Sequence, residues 1–111
     1  MKIAIIGSRN ISDVDLSKYI DQNVTEIVSG GARGVDSIAK KYAIDNNIKY
    51  TELLPEYSKY ARGAPIVRNR GIVDYADYVL AFWDGKSKGT EFVINYCKKT
   101  SKECYVVIVR E

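Results

Sequence analysis

The chain has 111 residues, 46% of them apolar and 28% charged, with a formal net charge of +3, which is the size and composition of one globular domain. It contains no histidine, which excludes Ser-His-Asp and Cys-His nucleophile pairs and removes the commonest general base at neutral pH. Cys97 and Cys104 supply neither a metal-ligand set nor a disulfide framework, and no apolar run reaches the length of a membrane span or a signal core, so the expectation is one cytoplasmic domain over residues 1–111 with free buried thiols, no metal and no membrane partner.

Lys2 to Gly7 is a continuous apolar run closed by glycine and reads as a buried strand, followed by the turn Ser8-Arg9-Asn10. Ser12, with Asp15 three residues on and a stripe of Val14, Leu16, Tyr19 and Ile20, predicts a first helix over about Asp13 to Asp21. Thr25 to Ser29 is a second strand, broken by Gly30-Gly31-Ala32-Arg33-Gly34, after which Val35, Ile38, Ala39, Tyr42 and Ala43 recur at helical spacing up to Asn46-Asn47. Ile48 to Leu54 is a third strand. Pro65 suits the first turn of a helix running to about Tyr75, where a missing amide costs nothing. Tyr78 to Trp83 is a fourth strand, Asp84 to Gly89 a second glycine turn, Thr90 to Lys99 a helix with Phe92, Val93 and Tyr96 on one side, and Tyr105 to Val109 a fifth strand. Strands alternating with helices over short loops predict an α/β, Rossmann-like, doubly wound domain, with a five-stranded and mainly parallel sheet carrying helices on both faces.

In such folds ligands bind at the carboxyl ends of the strands, where strand order reverses. Three loops fall there: Gly7-Ser8-Arg9, Ser29 to Gly34, and Asp84 to Thr90. Each glycine turn delivers backbone amides and a helix N-terminus toward one crevice, which favours an anion such as phosphate, although the same glycines also serve as tight strand-to-helix turns. The cations separate by type. Lys18, Lys40, Lys41, Lys98 and Lys99 fall on predicted helix surfaces, whereas Arg9, Arg33, Arg62, Arg68 and Arg70 fall in or beside loops, and a guanidinium fork matches phosphate. Arg9, Arg33 and Arg68 with Asn69 are therefore candidate ligand residues, together with Gly7, Gly30, Gly31, Ala32, Lys88 and Gly89 of the turns. Ser8, Ser29, Ser87 and Thr90 offer hydroxyls to phosphate oxygens, with capping as the other role open to Ser29 and Thr90. Trp83 stands where it can stack on a base or fill a core or dimer contact, Asp36 where it can contact a ribose or serve as a helix-dipole partner, and Asp84 opens the second turn.

In this order and spacing, Ile6-Gly7-Ser8-Arg9, Ser29 to Asp36, Pro65 to Arg70, Ala81 to Gly85 and Ser87 to Thr90 resemble the SLOG superfamily of Rossmann-like nucleotide-binding proteins, in particular its small YspA-like members. Ser29 to Asp36 and Arg68 to Arg70 are also similar to segments of the DNA-processing protein A family, a resemblance that implies binding of single-stranded DNA. Gly89-Thr90 and Arg68 are similar to parts of the LOG-type phosphoribohydrolases, a resemblance that implies N-glycosidic cleavage of a nucleoside monophosphate, but Val93 stands where that family has its catalytic glutamate. Glu91 points in another direction along the helix. The resemblance thus implies a protein that binds a nucleotide or an ADP-ribose-like molecule as sensor, carrier or sequestering protein, with no assigned catalytic residue, no cofactor, and a homodimer or larger homo-oligomer as its form. Phe82, Trp83, Phe92 and Tyr96 are candidates for interface or interior.

Overall fold

A computed structural model describes residues 1–110. Five strands, β1 (Lys2–Gly7), β2 (Glu26–Ser29), β3 (Lys49–Glu52), β4 (Tyr78–Trp83) and β5 (Cys104–Ile108), form one sheet in the order β3-β2-β1-β4-β5. Every neighbouring pair is parallel, so the sheet is fully rather than mainly parallel. The helices are α1 (Val35–Asp45), α2 (Tyr57–Tyr60), α3 (Ala64–Tyr75) and α4 (Lys88–Thr100).

Alternation along the central strands divides the core in two, because successive side chains point to opposite faces. Ile3, Ile5, Ile27, Leu80 and Phe82 pack against Val35, Ala39 and Ala43 of α1, while Ala4, Ile6, Val28, Val79 and Ala81 pack against Ile72 and Val73 of α3 and Val93, Ile94 and Cys97 of α4. Helices therefore cover both faces. Phe82 is wholly interior, and Trp83, Phe92 and Tyr96 are half-buried around the second cluster. Cys97 is buried and Cys104 half-buried, both with free thiols.

The segment Asp13–Asp21 departs from the predicted helix. Only one 3-10 turn forms, over Leu16–Lys18, and Ser12 caps no helix. Asp15 is the cause: its carboxylate accepts from the Ser17 amide at 3.1 Å and the Ser17 hydroxyl at 2.6 Å, and Asp21 likewise takes the Asn23 amide at 2.8 Å. Such local side-chain bonds offer the backbone an alternative to a helix ladder. The apolar stripe is kept nevertheless, since Leu16 and Ile20 reach the α1-side core.

The other limits move by a residue or two. α4 starts at Lys88 instead of Thr90, and Pro65 lies in the first turn of α3 as expected. The short α2 and a 3-10 turn over Ala61–Gly63 fill a stretch to which the sequence assigned no element.

Candidate ligand-binding cleft

Strand order reverses between β1 and β4, because β2 and β3 lie on one side of β1 and β4 returns to the other. The loops leaving these two strands are stitched together at their start: the Ser8 amide donates to the Phe82 carbonyl at 3.1 Å and the Asp84 amide to Ser8 Oγ at 3.2 Å. Beside this junction opens a cleft of about 410 Å³. Its wall takes Gly7 and Arg9 from the first loop, Gly30, Ala32 and Asp36 from the second, Arg68 and Asn69 from α3, and Ser87, Gly89 and Thr90 from the entry to α4.

Arg68 is the side chain most firmly placed. Its Nη1 donates to the Gly30 carbonyl at 2.9 Å and its Nε to Asn69 Oδ1 at 2.8 Å, leaving the rest of the fork available. Asp36 lies close by. Its carboxylate accepts from the Ala32 amide at 3.0 Å and so folds the glycine loop back over the first turn of α1. Burial pushes the Asp36 carboxyl above the usual carboxylate range, against the opposing pull of the Ala32 and Gly30 amides, Arg68 and Arg9. Among the described residues no arginine ion-pairs with a carboxylate within 4.0 Å. The ion pairs among the described residues are all made by lysine.

The N-terminus of α4 faces the same space, with Ser87 at its N-cap position and no side-chain cap. The partial positive charge of its first amides is thus unopposed by a cap. The loop before it is held from outside the cleft: Asp84 Oδ1 accepts from the amides of Lys86 and Ser87, each at 2.8 Å, and these bonds hold the Asp84 carboxyl below its ordinary range. Trp83 is tied to the same turn, its Nε1 donating to the Ser87 carbonyl at 3.0 Å. The floor is apolar, made by Ile6, Ile72 and Val93, with Val93 buried beneath the cleft.

Seven of the proposed site residues do not line this cleft. Ser8 is buried at the stitch, and Ser29 is buried on β2 with its hydroxyl sharing a 2.7 Å bond with Tyr50. Gly31 packs toward Glu52 and Leu54, and Arg33 and Lys88 are exposed outside the wall. Trp83 and Asp84 act on the turn, as described. Conversely, Asn10 and Pro65 line the cleft without having been singled out. Asn10 adjoins Arg9 in the turn after β1, which was the available signal.

The glycines also differ in what they do. A Cβ on Gly7 would come within 2.5 Å of Val35 Cγ2, and one on Gly34, whose φ is +78°, within 2.7 Å of the Arg9 carbonyl oxygen. Those two serve the close approach of α1 and the first loop to one another. A Cβ on Gly89 would meet nothing within 4 Å, so its smallness leaves open the approach to the α4 amides.

Compared with known proteins, residues 1–59 match the family described as DNA recombination-mediator protein A. No curated protein and no solved structure matches the chain. The matched part contains β1 to β3 with α1, and so Gly7, Arg9, Gly30, Ala32 and Asp36 of the cleft; Arg68, Asn69, Ser87, Gly89 and Thr90 come from the part beyond it.

Proposed function

The chain belongs to the DNA recombination-mediator protein A family, and on that premise we propose that residues 1–111 form one domain whose cleft binds a phosphate-bearing small molecule, a nucleotide or an ADP-ribose-like ligand. The protein then senses, carries or sequesters that molecule. One observation carries this reading: Arg68, with most of its fork unspent and no carboxylate in ion-pair range, lines the same cleft as the uncapped N-terminus of α4. A guanidinium and a helix N-terminus converging on one space select an anion, and phosphate uses both. Gly7, Ser8, Arg9, the Ser29 to Arg33 loop with Asp36, Asn69, and the Trp83 to Thr90 segment complete the proposed site, those off the cleft wall by shaping its loops.

The experiment is a thermal-shift series with nucleoside mono- and diphosphates and ADP-ribose, on the wild type and on Arg68→Ala. A ligand that binds the folded state alone raises the melting temperature. The reading expects a rise with at least one of these ligands that Arg68→Ala removes, and no rise across the series refutes it. Chromatography of the same mixtures tests for turnover; cleavage lost on Asp36→Asn would replace binding by N-glycosidic hydrolysis.

The family's description names DNA, and a second reading takes single-stranded DNA as the partner. Strand binding loses affinity steeply with salt as counterions are released and ignores free mononucleotides, so oligonucleotide titrations at two ionic strengths separate the two. A homodimer or larger assembly is the expected form. The β5 edge, where Tyr105, Val106 and Ile108 stay exposed, supports it, and light scattering on the purified protein measures it. No helix among the described residues is long and apolar enough to cross a membrane.

A further inference from the structure

Beside the cleft, across Arg68, lies a second and smaller recess of about 200 Å³. Leu53 and Leu54 just after β3, Tyr60 of α2 and Val67 of α3 give it apolar walls, and Glu56 stands on its rim. Arg68 lines both spaces, so one molecule occupying the two passes the guanidinium. Apolar side chains beside the recess stay in water: Leu54 is 60% exposed, Tyr57 61% and Tyr60 37%, all between β3 and the 3-10 turn before α3. Packing does not account for Tyr57 and Tyr60, because α2 buries none of its residues. Neighbouring apolar side chains left in water beside a polar cleft mark a contact surface.

We propose that this recess holds the nucleobase of the ligand whose phosphate occupies the cleft. The inference rests on the nucleotide reading of the cleft and adds to it the part that a bare sugar phosphate lacks. The lining decides which end goes where. Leu53, Leu54, Ala64 and Val67 give a phosphate no donor, and the one carboxylate on the rim, Glu56, is balanced by Lys59, whose ammonium lies 5.2 Å from the Tyr60 ring centre. Leu54, Val67 and Tyr60 offer dispersion and stacking to a flat uncharged ring, and the guanidinium plane of Arg68 at the boundary can stack as well. The recess has room for one planar ring system, and the cleft beside it for the sugar and phosphate.

The test compares five probes by calorimetry: the four common ribonucleoside 5′-monophosphates and ribose 5-phosphate. At least one nucleotide binds the wild type about ten-fold or more tighter than ribose 5-phosphate, the gain that stacking of a single base gives. Tyr60→Ala lowers that ratio several-fold and leaves ribose 5-phosphate binding unchanged. Leu54→Ser, at a side chain 60% in solvent, lowers the ratio at little cost to folding, and so keeps the test open should Tyr60→Ala fold poorly. A ratio near one in the wild type, or a ratio that neither substitution moves, overturns the base site while leaving the phosphate cleft standing. Absence of binding by all five probes overturns the cleft reading, and the base site with it.

Discussion

Replacing Gly30 by alanine tests whether the glycine loop exists to seat Arg68. The new Cβ would stand 2.6 Å from Arg68 Nη1 and 3.0 Å from Cζ, so the guanidinium must retreat by roughly 1 Å to reach ordinary contact distance. That movement breaks the 2.9 Å bond from Nη1 to the Gly30 carbonyl. A bond to a charged group contributes about 1.5–3 kcal/mol when buried, and Arg68 is half-exposed, so about 1 kcal/mol is the expected loss. Alanine returns about 0.5 kcal/mol by restricting the unfolded chain. The net is a fall of a few degrees in melting temperature. The informative measurement is the four-protein cycle of wild type, Gly30→Ala, Arg68→Ala and the double variant, followed by urea melts. With Arg68 already truncated the collision is gone, so Gly30→Ala becomes neutral or slightly stabilising, a coupling of about 1 kcal/mol between the two sites. Equal effects of Gly30→Ala in both backgrounds would refute the claim that the loop and the arginine form one unit.

Gly34→Ala and Gly89→Ala should separate fold from ligand access: the first meets backbone at 2.7 Å with φ at +78° and should cost about 2 kcal/mol or more, whereas the second, in α4 with nothing near its Cβ, should raise the melt slightly while weakening phosphate binding. Tyr50, pushed up to about 12 chiefly by burial, should stabilise the fold fully below about pH 10 and lose that contribution as pH rises toward about 12, visible as a late phenolate transition in an ultraviolet titration. Tyr50→Phe strands the buried Ser29 hydroxyl and should cost about 1–2 kcal/mol in a urea melt. Asp84, held low by the Ser87 and Lys86 amides, stabilises above its ordinary value and loses that as pH falls through its lowered one. Asp84→Asn keeps an acceptor for both amides, so the melting temperature near neutrality should hold while the acid-side dependence of melting weakens.

Much of this was legible in the chain itself. Continuous apolar runs, closed by Gly7 in one case and by the Asp84-Gly85 turn in the other, located β1 and β4 to the residue, since a strand covered on both faces has no polar position to blur its limits. The glycine turns and the arginines placed beside them located one edge of the sheet, and Gly7, Arg9, Gly30, Arg68, Ser87 and Gly89 meet there in one cleft. The Asp13 to Asp21 stretch misled because its periodicity is real but is buried without a helix, once Asp15 and Asp21 bond to neighbouring amides. Whether a side chain bonds its own loop or a helix cap is a competition of a few tenths to a kcal/mol, which spacing does not resolve.

What the sequence determined alone was therefore local and periodic: which segments are strands, which turns need glycine, and which sheet edge carries cations. What only the tertiary structure decided was direction and partnership. It turned Ser29 inward to Tyr50, spent Trp83 and Asp84 on the turn before α4, left Arg33 outside, and brought Arg68 across 38 residues to the Gly30 carbonyl. These outcomes depend on which loops the crossovers set side by side, and loops far apart in sequence meet only after the sheet has ordered them.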